Sequence, residues 1–140
     1  MVKVLLVDDE REFGAILCQR LTKRSYLVSS AHSGEDALAQ LEKNQDVEVV
    51  ILDIKMPGLD GIETLKEIKV RSPLTEVIIL TGHGTVETAV SGLKSGAFDY
   101  LTKPIDVDDL IQKAQEAYER RRLAEDKIRV AQSRTLRMGM

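Results

Sequence analysis

Val49-Val50-Ile51-Leu52 runs without a break into Asp53, and Pro57-Gly58 closes the stretch. An apolar run this short, mostly β-branched and stopped by proline and glycine, reads as a strand buried on both faces of a parallel sheet. Asp53 then stands at the strand's C-terminal end, the edge at which open α/β sheets bind ligands and do chemistry. Taken alone, the aspartate has two readings: a functional carboxylate at that edge, or the first residue of a turn.

Four further strands follow from the same reasoning. Val2–Val7 is a buried run ending in Asp8-Asp9-Glu10, and a helix over 11–23 carries Phe13, Ile16, Leu17 and Leu21 at helical spacing. Residues 26–31 read as a short second strand. Ser33, with Asp36 three residues on, resembles a capping box opening a helix with Ala37, Leu38 and Leu41 on one face. The central strand spans 47–52, and after Gly61 a helix runs from about Ile62 to Val70, stopped by Ser72-Pro73. Glu76–Leu80 is the fourth strand and leads into the loop Thr81-Gly82-His83-Gly84. A helix over 85–95, broken at Gly96, precedes a fifth strand at 98–102, which ends at Lys103-Pro104. Asp106 caps the last helix, with Asp108 and Asp109 in its first turn. Five strands alternating with five helices imply a doubly wound, all-parallel α/β domain covered on both faces.

A chain of 140 residues holds one such domain and an appendage. Its net charge of −3 gives no global attraction to nucleic acid, so direct nucleic-acid binding within the chain is not expected. No run approaches the ~18 apolar residues of a membrane span, and the N-terminus lacks a cleavage pattern; the expected location is cytoplasmic. The single cysteine, Cys18, excludes an intrachain disulfide, and its spacing with Phe13, Leu17 and Leu21 reads as core rather than thiol chemistry. His32 reads as a surface turn residue.

Parallel strands bring their C-terminal ends to one edge, so Asp8, Asp9, Asp53, Thr81 and Lys103 converge from four strands. Carboxylates crowded in one crevice repel unless a cation neutralises them, and hard oxygen donors select Mg²⁺. Lys103 supplies a point positive charge for a phosphoryl oxygen, and the Thr81 hydroxyl donates to another. Such a pocket suits transfer of a phosphoryl group to or from a carboxylate nucleophile.

The acidic pair after the first strand, Asp53 followed by Met56-Pro57-Gly58, the Thr81 loop, and Phe98-Asp99-Tyr100-Leu101-Thr102-Lys103-Pro104 together resemble a bacterial two-component response-regulator receiver domain, most closely of the nitrogen-regulation type. The likeness covers residues 1 to about 118. It implies the flavodoxin-like strand order 2-1-3-4-5. It implies that Asp53 is the phosphoacceptor for a sensor histidine kinase, that Asp9, Asp53 and the Lys55 backbone carbonyl bind Mg²⁺ directly with Asp8 acting mainly through water, and that Thr81 and Lys103 hold the phosphoryl oxygens. Tyr100 matches the family's switch aromatic; the other reading is an ordinary half-buried strand aromatic. A cis Lys103-Pro104 peptide is also implied. Lys55 and His83 match positions flanking the phosphoryl group, where side chains tune its lifetime; His83 is either a proton acceptor for the hydrolytic water or a solvated loop residue.

Two rivals expect something else. An aspartate-nucleophile phosphatase expects a second acid two residues after Asp53, where Lys55 stands. A degenerate receiver, serving as a phosphorylation-independent protein-binding scaffold, expects loss of an acid, the threonine or the lysine, and none is lost. A signalling switch that promotes only its own phosphorylation and dephosphorylation is therefore expected, rather than an enzyme with turnover.

After Asp106 neither proline nor glycine occurs until Gly139, enough for a helix of roughly 45 Å, about twice what a compact receiver needs. Residues 119–140 form a basic helical extension or linker: seven basic residues and three acids lie between Glu119 and Arg137. Val107, Leu110, Ala114, Ala117, Arg121, Ala124, Ile128, Ala131, Thr135 and Met138 make a heptad pattern weakened by Arg121 and Thr135. The readings are a solvated helix end, a dimerising linker or a basic arm. A homodimer through the fourth helix, fifth strand and last helix, or through the tail, is expected, as is control of an output domain or partner protein. The chain carries no Gly-Lys-Ser/Thr phosphate loop and no helix-turn-helix after the receiver. It is expected to be either a stand-alone receiver or a fragment of a longer regulator.

Overall fold

The computed structural model describes residues 1–54, 61–82 and 86–138. Five strands, β1 (Lys3–Val7), β2 (Leu27–Ala31), β3 (Val49–Asp53), β4 (Glu76–Thr81) and β5 (Asp99–Thr102), alternate with α1 (Arg11–Lys23), α2 (Gly34–Lys43), α3 (Gly61–Arg71), α4 (Val86–Lys94) and α5 (Val107–Met138). All four strand pairs are parallel, in the order β2-β1-β3-β4-β5, as expected. Among the described residues no helix is long and apolar enough to cross a membrane.

The strands alternate strictly between two cores. Leu5, Val7, Val50, Leu52, Val77 and Ile79 point toward α2 and α3, meeting Leu38, Leu41, Leu65 and Ile68. Val4, Leu6, Val49, Ile51, Ile78 and Leu80 point toward α1 and α5, meeting Leu17, Leu21, Leu110 and Ala114. Complete burial of both faces explains why β1, β3 and β4 are continuous apolar runs, each fully buried Leu or Ile contributing roughly 1.5–3 kcal/mol. The same period of two decides the site. Asp8 continues the Val4, Leu6 row and Asp53 the Val49, Ile51 row, so both fall on the α1 and α5 side of the sheet.

Local signals behave as their chemistry requires. Ser33 Oγ accepts the Asp36 N–H at 3.0 Å, while the Asp36 carboxylate reaches the N–H of His32 at 3.4 Å, one residue short of a full capping box. Asp106 Oδ1 accepts the Asp108 and Asp109 N–H groups at 2.9 and 3.4 Å. Gly61 opens α3 hard against the chain leaving β3: a Cβ there would lie 2.6 Å from the Ile54 carbonyl oxygen. Two expectations shift. Ile16 does not join the α1 core row but is 53% exposed, because the buried face needs only Phe13, Leu17 and Leu21 to meet the sheet. The second strand begins at Leu27, since Ser25 has φ +72° and Tyr26 is tied to Leu21 by its N–H.

Candidate functional site

β1, β3, β4 and the residue after β5 bring Asp8, Asp9, Asp53, Thr81 and Lys103 to the C-terminal edge. Asp8 and Asp53 are buried, and Asp9 is exposed at the rim. Backbone bonds help to hold them there: Asp8 N–H donates to Ala31 O, Ile54 N–H to Leu80 O at 3.1 Å, and Lys103 N–H to Thr81 O at 2.8 Å. The Lys103-Pro104 peptide is cis.

Lys103 Nζ donates to Asp53 Oδ2 at 3.1 Å and lies 3.9 Å from Asp8 Oδ2. Burial draws the lysine's pKa down, yet its hydrogen bond to Asp53 and the charges of Asp53, Asp8 and Glu10 leave it raised, so the ammonium stays charged. Asp8 is the strained member. Burial pushes its pKa up to about 6, the Glu10 N–H at 2.8 Å and Lys103 pull it down, and the Asp53 and Glu10 charges add to the rise.

One oxygen of each of Asp8, Asp9 and Asp53 lies within 4.8 Å of the others. Asp8 Oδ2 is buried with no hydrogen-bond partner, an acceptor aimed at something that must supply positive charge. Hard carboxylate donors and an orphaned oxygen fit Mg²⁺.

Thr81 and Tyr100 face elsewhere. Thr81 is buried, and its hydroxyl donates to Leu101 O at 3.4 Å rather than into the acidic pocket. The Tyr100 side chain is on the surface, 40% exposed. Lys55, Met56-Pro57-Gly58 and His83 lie outside the described residues.

The structure adds two residues that sequence reasoning did not assign. His32 is half-buried rather than a free surface turn, its Nδ1 donating to the Asp8 carbonyl at 3.1 Å and so bracing the acidic loop from β2. Phe13, expected only as core, places its ring centroid 4.6 Å from Lys103 Nζ. An aromatic four residues after an acidic pair was the visible signal, but nothing in the sequence pairs it with a lysine ninety residues on.

A family model described as response regulator receiver domain matches residues 4–115. The transcriptional regulatory protein ZraR of Salmonella typhimurium is 43% identical over 116 residues, covering 83% of this chain and 26% of its own length. The DNA-binding transcriptional regulator NtrC of the same species is 38% identical over 114 residues, covering 81% of this chain and 24% of its own. A crystal structure of a response regulator receiver domain protein from Clostridium thermocellum superposes with a TM-score of 0.85 at 38% identity, covering 89% of this chain and 99% of that one. The chain thus spans about a quarter of the length of the curated relatives it matches.

Proposed function

Because this chain belongs to the response-regulator receiver family, we propose that it is a phosphoacceptor switch in which Asp53 takes a phosphoryl group from a phosphohistidine of a sensor histidine kinase. The observation that carries this is the buried Asp53 carboxylate with Lys103 Nζ at 3.1 Å and the Asp8 and Asp9 carboxylates within a metal ion's reach. An Asp53 oxygen attacks phosphorus, the P–N bond breaks with its electron pair going to the imidazole nitrogen, and an acyl phosphate remains on Asp53. Lys103 pairs with a phosphoryl oxygen in place of the carboxylate it now holds.

Asp9, Asp53 and the Lys55 carbonyl would hold Mg²⁺, with Asp8 reaching it mainly through water. Bound there, the ion supplies charge neutralisation between the carboxylates and the incoming phosphoryl group.

The phosphate adds roughly −1.5 to −2 charge and three acceptor oxygens at the head of β3. The Thr81 hydroxyl exchanges its long bond to Leu101 O for a phosphoryl oxygen, and Tyr100 turns into the space it leaves. The surface made by α4, β5 and α5, which already exposes Val86, Val90, Leu93 and Tyr100, is thereby reshaped for an output domain, a partner or a second copy. Residues 1–118 form the receiver and 119–140 the helical extension that carries its state onward. The chain promotes only its own phosphorylation and dephosphorylation.

Intact-mass measurement after incubation with acetyl phosphate, with and without Mg²⁺, tests this reading. The expected result is a Mg²⁺-dependent gain of one phosphoryl group that Asp53→Asn abolishes. A gain that persists in Asp53→Asn contradicts it.

A further inference from the structure

Lys103 has a long, flexible stem, and the site asks its ammonium to stay near Asp53 while a divalent cation shares the same carboxylates. Two like charges drawn to one set of oxygens repel, so a lysine held by those oxygens alone would be pushed out as the metal enters. Phe13 offers a hold of a different kind. It is the third residue of α1, half-buried against the core that contains Leu17 and Leu21, and its ring centroid lies 4.6 Å from Lys103 Nζ. That is well inside the range at which the negative face of an aromatic ring attracts an ammonium. The lysine side chain is itself only 22% exposed, so this attraction acts in a poorly screened setting. It also needs no carboxylate oxygen and does not compete with a metal.

The geometry points to Phe13 as a positioning residue for Lys103: its ring parks the ammonium at the side of the acidic pocket, where it meets a phosphoryl oxygen arriving on Asp53. The inference rests on Asp53 being the phosphoacceptor, and its test separates the two claims.

Phe13→Leu removes the ring face and keeps most of the buried volume, Phe13→Tyr keeps the face, and Phe13→Met replaces the leucine variant if that one does not fold. Phosphorylation by acetyl phosphate at saturating Mg²⁺ is expected to slow about five-fold in Phe13→Leu and to return to near the native rate in Phe13→Tyr. In a Lys103→Met background, Phe13→Leu should cause no further loss. An equal loss with and without Lys103 would show a merely structural role and overturn the proposal, as would a native rate in Phe13→Leu. Nuclear magnetic resonance of the unphosphorylated protein reads the contact directly. The Lys103 ε-methylene signals should be shifted upfield by the ring, remain so in Phe13→Tyr, and return to ordinary values in Phe13→Leu. Should the native chain accept no phosphoryl group, the phosphoacceptor reading fails by itself. The ε-methylene shift still decides whether Phe13 holds the lysine, and its absence from the native protein overturns the inference.

Discussion

Asp8 is the residue at which folding and function pull in opposite directions. Its pKa is about 6 in the folded protein against an ordinary 3.8, so between those values the native state holds a proton that the unfolded chain releases. Stability from this group is therefore greatest below about pH 4, falls as pH rises through the window, and stays low above about pH 6. A metal reverses the sign, since it binds the ionised carboxylate. Mg²⁺ should raise the thermal midpoint more at about pH 7.5 than at about pH 5. In metal-free buffer at the higher pH, Asp8→Asn should exceed the native midpoint by roughly 2–4 °C, about 1 kcal/mol in a domain of this size. Differential scanning calorimetry at both pH values checks this; an equal Mg²⁺ effect at both, or a lower midpoint in the variant, would refute it. Asp8, Asp53, Thr81 and Lys103 were legible in the sequence because a strand's end is marked by its apolar run, and parallel strands share one edge. The hold of Phe13 on Lys103 and of His32 on the Asp8 carbonyl was not, because each depends on the packing of α1 and β2 in space.

At the scale of elements, α5 is the least ordinary part. It is one helix of 32 residues, and its attachment to the sheet does not end with the apolar row Leu110, Ala114 and Ala117. Arg121 turns back onto the domain, donating from Nη1 to Val47 O at 2.7 Å and Thr75 Oγ1 at 3.0 Å, while its Nε pairs with Glu125 at 2.6 Å. Arg120 pairs with the buried Glu76 at 3.2 Å, and Lys69 from α3 reaches the same side chain at 3.3 Å. The starts of β3 and β4 are thus gripped from α3 and α5 together. In sequence, Arg121 looks like a flaw in a heptad; in the structure it faces the receiver. Periodicity ranks residues by apolarity and cannot see a guanidinium whose partners are a carbonyl and a threonine seventy-four and forty-six positions away. Arg121→Ala leaves a buried carbonyl with one donor fewer and should cost about 1–3 kcal/mol, read as a lower urea midpoint with little change in slope. Beyond it the helix continues exposed to Met138, with ion pairs between its own turns, Arg122 with Glu119 and Asp126, and Arg129 with Asp126.

The whole molecule joins a rigid sheet, with its acidic edge at one end, to a long helix that leaves from the other. Leu123, Ile128, Val130 and Leu136 are exposed along that helix, and Val86, Val90, Leu93 and Tyr100 along the face made by α4 and β5. Phosphorylation is expected to shift the chain toward a dimer, seen as a rise in mass by light scattering at a fixed concentration; an unchanged mass over a wide concentration range would remove that part of the account. The fold class was readable because five strands, three of them buried apolar runs, alternating with amphipathic helices admit few arrangements, and right-handed crossovers admit fewer. What covers the exposed side of the helix was not readable, since charge and heptad patterns describe a surface and leave its occupant open. An acyl phosphate on Asp53, the proposed phosphoacceptor, reports its own position. Borohydride reduction of the chain after treatment with acetyl phosphate and Mg²⁺ converts a phosphorylated aspartate to homoserine, which peptide sequencing by mass spectrometry locates. Homoserine at position 53, and absent without Mg²⁺, is the predicted result; homoserine at another acid, with Asp53 intact, would contradict it.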